Sequence, residues 1–159
     1  MTNTPGLIVV GVDGTISGDA ALAFAVDEAE RSGDRLEVIT TWDTRTALTS
    51  LDAAYGLVMS PAEYLAQGQA ERAQKEALER AMAGRRRPPV VRALVVRGDA
   101  GRVLVNAGRQ GRLLVVGCRP DRRARGLLGR SVSRYCARNF SGPLTTVTST
   151  GRRSDANPG

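Results

Sequence analysis

The sequence predicts an α/β protein: a five-stranded parallel sheet, doubly wound, with helices on both faces. Three observations carry this. Short apolar runs alternate with helix-period segments along most of the chain, the pattern of parallel strands joined by helical crossovers. The runs "GLIVVGVDG" and "GRLLVVG" are continuously apolar rather than alternating, as expected of strands buried on both faces. Right-handed crossovers then restrict the topology to a doubly wound sheet.

The elements follow in order. "GLIVVGVDG" is the first strand, ended by Asp13-Gly14. In "SGDAALAFAVDEAERSG" the residues Ala21, Leu22, Ala25, Val26 and Ala29 fall on one helical stripe. Ser17 or Asp19 is its candidate cap, and Gly33 its stop. "RLEVITTWD" is the second strand. Residues 44–59 show no period and read as a long excursion. "SPAE", Ser60 to Glu63, is a helix start: a cap, proline at the first position, and glutamate three residues after the cap. That helix runs to about Ala83, where "GRRRPP" stops it. "VVRALVVRG" is the third strand. Asp99 caps the short helix "AGRVLVNAGRQ", and "GRLLVVG" is the fourth strand. A helix from about Ser131 to Asn139 and the fifth strand, "GPLTTVTST", complete the domain. Residues 1–150 are one domain of Rossmann-like type, and the polar tail 151–159 is expected to be disordered.

Composition bounds the function. The chain has 159 residues, 42% hydrophobic, a net charge of +7 and no histidine. Without histidine, Ser-His-Asp and Cys-His catalysis and most zinc enzymes are excluded. Catalysis would have to rest on carboxylates, Lys75, hydroxyls or a bound metal. No apolar run approaches the roughly 20 residues needed to span a bilayer. The start "MTNTPG" does not read as a secretory signal, so a cytoplasmic location is expected. Two cysteines, Cys118 and Cys136, make no disulfide framework.

The charge is concentrated. Between Arg102 and Arg138 stand ten arginines and one acid, Asp121. This asymmetry points to an anionic ligand or partner. The region lacks interleaved aromatic residues, which argues against nucleic acid.

In a doubly wound sheet of order 3-2-1-4-5, ligands bind beyond the strand C-termini where the winding reverses, between the first and fourth strands. The sequence there is "GVDGT" and "VVGCRPDRRARGLLGRSVSRY". Glycines let a backbone approach a phosphate, and a helix start offers amides to it. "GLLGRSVS" supplies both: the amides of Ser131 and Val132, with the Ser131 and Ser133 hydroxyls as further donors. Asp13 is placed to accept from a ribose hydroxyl or to bind a metal carried by phosphates. No P-loop and no G-x-G-x-x-G after the first strand is present.

With these landmarks ("GVDGT", "AALAFAVDEA", "ITTWD", "GDAGRVLVNAG", "LLVVGCR" and "GLLGRSVS") the chain resembles a universal stress protein domain over nearly its whole length. The resemblance implies strand order 3-2-1-4-5, homodimerisation through the last strand and, in some members, ATP binding. ATP-binding members carry Gly-x2-Gly-x9-Gly-[Ser/Thr] after the fourth strand. Gly117 and Ser131 match its ends, but Pro120 and Arg130 stand at the second and third glycine positions, with Gly126 and Gly129 nearby. Pro120 removes a possible phosphate donor. Arg119, Arg122, Arg123, Arg125 and Arg130 are placed to offer guanidinium contacts instead. The resemblance further implies that the backbone of Thr41 holds adenine, with Val12, Asp13 and Gly14 near the ribose and phosphates. Trp42 is either a flank for the base or a rim aromatic.

The expected cofactor is thus ATP, with Mg2+ at Asp13, in a regulatory module of a stress or dormancy response, not an enzyme beyond at most weak ATP hydrolysis, read by an unidentified protein partner. The alternative is a nucleotide-free dimeric protein acting through protein contacts. Cys118, beside Gly117, reads either as a redox-sensitive thiol or as a small buried one.

Overall fold

The computed structural model describes residues 4–43, 59–119 and 131–157. Ten elements run along the chain: β1 (Leu7–Gly11), α1 (Ile16–Ser32), β2 (Arg35–Trp42), α2 (Pro61–Met82), β3 (Val91–Arg97), α3 (Ala100–Gly108), β4 (Leu113–Cys118), α4 (Val132–Asn139), β5 (Leu144–Thr148) and β6 (Arg153–Ala156). They form one sheet of order β3-β2-β1-β4-β5-β6. The first five strands are parallel, in the expected order 3-2-1-4-5.

The continuous apolar runs do what their composition requires. In β1, Ile8 and Val10 pack under α1 and α2 with Leu22, Ala25, Val26, Leu36, Val38 and Val115. Val9, between them, packs on the opposite face with Ile39, Leu104, Leu114, Val116, Cys136 and Phe140, under α3 and α4. The stripe expected on the first helix, Ala21, Leu22, Ala25, Val26 and Ala29, is fully buried.

Local signals act mostly where the sequence places them. Gly33 ends α1 in the left-handed region at φ 75°, its N–H bonded to Ala29 O. Ser60 and Glu63 form a reciprocal capping box at the start of α2. Asp99 caps α3 and Ser131 caps α4. One cap differs. Neither Ser17 nor Asp19 starts α1; Thr15 does, accepting from Gly18 N. Asp13 binds the Thr15 hydroxyl and orients it, so the helix begins closer to the strand than the apolar stripe alone suggests.

The C-terminal segment corrects the five-strand expectation. Residues 153–156 are not a disordered tail but a sixth strand, antiparallel to β5, with Thr145 opposite Asp155 and Val147 opposite Arg153. Gly151, at φ 79°, reverses the chain, and Thr148 N donates to Arg152 O across the turn. Polar composition does not prevent this, because the backbone carries the pairing and an open edge otherwise leaves its amides and carbonyls without protein partners. The β5 edge, expected to be open for a second subunit, is therefore covered by the chain itself. Among the described residues no helix is long and apolar enough to cross a membrane.

Candidate functional site

The chain leaves β1 towards α1 and β2 on one side, and leaves β4 towards α4 and β5 on the other. The winding reverses between β1 and β4, and in folds of this kind the crevice beyond the C-terminal ends of those two strands is where ligands bind. Val12, buried just past β1, is tied to β2 through Val12 N to Ile39 O at 2.9 Å. Asp13 follows, exposed at the rim. Its Oδ1 accepts from Thr15 N at 3.1 Å and Thr15 Oγ1 at 2.5 Å. Gly14 turns the chain at φ 73°, a conformation that costs a side-chain-bearing residue about 1 kcal/mol or more.

From the β4 side, Arg119 crosses the crevice. Its Nη2 lies 3.9 Å from Asp13 Oδ2, and both side chains are more than half exposed. The carboxylate thus has one oxygen engaged by Thr15 and the other turned to a cation. This arrangement suits a group that carries both negative charge and hydroxyl donors.

Gly117 has a different job from the one its place in the glycine pattern suggests. A Cβ there would meet the Ser17 carbonyl carbon and oxygen at 2.7 Å and Gly18 N at 2.9 Å. The absent side chain lets the first turn of α1 sit against the end of β4. Gly18 is constrained from the other side, where a Cβ would come within 2.5 Å of Asp13 Oδ1.

At the start of α4, Ser131 Oγ accepts from Arg134 N at 3.4 Å and lies 2.8 Å from the Oγ of buried Ser133. The first amides of a helix have no intrahelical acceptor and favour anions. With the Arg134 amide capped by Ser131, those of Val132 and Ser133 are the ones available to a ligand. Gly126, Gly129 and Arg130, with Pro120, Arg122, Arg123 and Arg125, lie outside the described residues.

On the opposite wall, Thr41 is half-buried near the end of β2, in register with Val96. Trp42 follows, in register with Arg97, whose guanidinium lies 5.5 Å from the indole centroid. Arg97 also pairs with Glu63 Oε1 at 2.7 Å. Arg97 and Glu63 were not anticipated as part of this wall. The signal was the parallel register, which sets Arg97 beside Trp42, and the capping box, which fixes Glu63. Cation–π contact and ion pair together hold one face of the indole.

Among the described residues no group of three His, Cys, Asp or Glu side chains is placed to hold a metal. Of the cysteines, Cys118 is half-buried, its Sγ 3.9 Å from Arg119 O. Cys136 is fully buried, and burial, with the Asp99 charge, pushes its thiol up to about 11. Cys136 is therefore a packing residue rather than a reactive thiol.

Comparison with known proteins agrees with this architecture. The family model described as "Universal stress protein family" matches residues 6–148. Among solved structures, the universal stress protein UspA from Lactobacillus plantarum superposes with a TM-score of 0.71 at 16% identity, covering 91% of this chain and 99% of that one. A universal stress protein solved in complex with cAMP gives a TM-score of 0.54 at 21% identity, covering 92% and 99%. A family protein from Arabidopsis thaliana with AMP bound gives 0.50 at 18%, covering 91% and 92%. Among curated proteins compared by sequence, none matches. The chain belongs to the universal stress protein family.

Proposed function

We propose that this universal stress protein is an adenine-nucleotide-binding regulatory module of a cytoplasmic stress or dormancy response, in which occupancy of the crevice, not bond breaking, is the signal. The observation that carries the reading is the approach of Arg119, at the end of β4, to Asp13, just past β1, at 3.9 Å across the strand switch point. Two structures of the same fold, one in complex with cAMP and one with AMP bound, support an adenine nucleotide as the ligand class. Arg119 and the Val132 and Ser133 amides would receive phosphate oxygens. The ribose would lie toward Asp13, and adenine toward the Thr41 backbone. With ATP, Mg2+ would bridge the phosphates to Asp13 Oδ2, the oxygen that Thr15 does not occupy. Absence of histidine and of a P-loop lysine is why no hydrolytic role is proposed. The second reading, a nucleotide-free protein acting through partner contacts, draws on Pro120 standing where a phosphate-facing glycine would.

The test is calorimetric titration of ATP into three proteins: the unaltered chain, Asp13→Asn and Arg119→Ala. Asparagine keeps an acceptor for Thr15 and removes the charge. Arg119→Ala is expected to weaken binding about tenfold with or without magnesium, the loss of one charge-assisted contact. Asp13→Asn is expected to weaken it only when magnesium is present. Unchanged affinity in both variants defeats the site assignment.

A further inference from the structure

A second place for a small ligand lies at the other end of the sheet. Between α1 and the β5–β6 hairpin is a cavity of about 280 Å³. Leu113 and Leu144, the first residues of β4 and β5, border it, which sets it about 16 Å along β4 from Cys118 at the crevice end. The volume falls just below the roughly 300–1,000 Å³ usual for drug-sized ligands and suits a molecule of amino-acid size. The lining divides by chemistry. Phe24, Leu113, Pro143 and Leu144 offer apolar surface, and Glu28, Arg153 and Asp155 bring charge. Glu28 is already neutralised: Arg31 Nε and Nη2 donate to it at 2.9 and 2.7 Å, and Arg112 Nη2 at 3.2 Å. Arg153 and Asp155 differ. They stand two residues apart on one face of β6, about 6–7 Å along the strand, opposite Val147 and Thr145. The Arg153 guanidinium lies 5.0 Å from the Phe24 ring centroid and, among the described residues, meets no carboxylate. Asp155 Oδ1 accepts from Thr145 Oγ1 at 2.6 Å, and among the described residues its Oδ2 has no donor. A cation and an anion thus line one cavity, each anchored by a neighbour and neither neutralised by the other.

We infer that this cavity binds a small zwitterion, a free α-amino acid with an apolar side chain. The ligand's carboxylate would meet Arg153, its ammonium Asp155 Oδ2, and its side chain Phe24, Leu113 and Pro143. Charge-assisted contacts at both ends favour the zwitterion over a simple amine or acid, because either of those leaves one of the two protein charges unmatched. Since β6 supplies both charged groups and α1 supplies Phe24, an occupied cavity also fastens the C-terminal strand to α1. The cavity shares no residue with the crevice and needs no nucleotide there.

Calorimetric titration of leucine into the full chain tests it, beside two probes that each lack one charge, 4-methylpentanoate and isoamylamine. Leucine is expected to bind one site per chain with a Kd of about 0.1 mM. Each single-charge probe is expected to bind about tenfold more weakly, the loss of one charge-assisted contact. Two variants locate the site. Arg153→Met keeps an apolar stem on Phe24 and removes the cation; Asp155→Asn keeps an acceptor for Thr145 and removes the anion. Each is expected to weaken leucine about tenfold while leaving the thermal midpoint of the ligand-free protein nearly unchanged. No binding heat from leucine or phenylalanine up to about 10 mM overturns the proposal. So does a single-charge probe that binds as tightly as leucine, or unchanged leucine affinity in either variant. The probe comparison uses the unaltered chain, so it decides even if a variant fails to fold.

Discussion

Gly117→Ala is expected to cost about 3 kcal/mol of stability, far beyond the ordinary effect of a glycine-to-alanine change. The added methyl would lie 2.7 Å from the Ser17 carbonyl group and 2.9 Å from Gly18 N. Those are backbone atoms of the first turn of α1, not the tip of a flexible side chain, so the helix itself must move. Moving it also disturbs the Asp13–Thr15–Ser17 hydrogen bonds, and nucleotide affinity should fall with stability. Gly33→Ala is the contrast. Gly33 sits at φ 75°, and a methyl group added there would meet nothing within 4 Å. Backbone strain is then the only cost, about 1 kcal/mol. Urea denaturation reads both. Equal midpoints for the two variants would contradict the packing role assigned to Gly117.

Asp34→Ala is expected to cost about 2–3 kcal/mol, from the opposite end of the sheet. Asp34 is buried where β1 and β4 begin and α1 ends. It accepts from Gly6 N, Ser32 Oγ and Arg112 Nε, each at 2.7 Å. Removing it leaves two donors and a guanidinium without this acceptor. The figure is held below that of a fully buried pair because the Arg112 side chain is 44% exposed. Burial pushes the Asp34 carboxyl up, but hydrogen bonds from Ser32, Arg112 and the Gly6 amide outweigh it, and the group titrates below its ordinary value of 3.8. Glu28 is lowered as well, first by Arg31, against burial, and then by Arg112. A lowered folded-state value means the carboxylate's contribution is complete above the unfolded value and lost as pH falls through the folded one. Stability should therefore decline below about pH 4 in the unaltered chain and decline less in Asp34→Asn. Parallel pH profiles for the two would contradict this account.

What the sequence makes legible here is what local chemistry decides. The runs around Ile8–Val10 and Leu113–Val116 are apolar on both faces because both faces are covered, and that is readable without a structure. Caps such as Ser60–Glu63 and Asp99 are likewise local. The sixth strand is not. Nothing in Arg153–Ala156 favours a strand; it forms because β5 offers an edge and Gly151 turns the chain back onto it. The Arg97–Trp42–Glu63 cluster joins residues far apart in sequence and becomes visible only once β2 and β3 are in register. Gly117 could be read as a glycine that makes room for a ligand, since a glycine that makes room for a helix looks identical in sequence. Of the candidate site, Asp13, Arg119 and Ser131 were legible as chemistry at a strand switch point. Thr15, which caps α1 and fixes the Asp13 carboxylate, was not, because the apolar stripe suggested a later start.

The most direct test of the central claim is titration of ATP with magnesium into freshly purified full-length protein, after denaturing a portion to release and identify any nucleotide carried through purification. The account predicts one site per chain with micromolar affinity, or adenine nucleotide already bound. A protein that releases no nucleotide and gives no binding heat would contradict it, and would make the pairing of Asp13 with Arg119 an internal contact of a closed crevice.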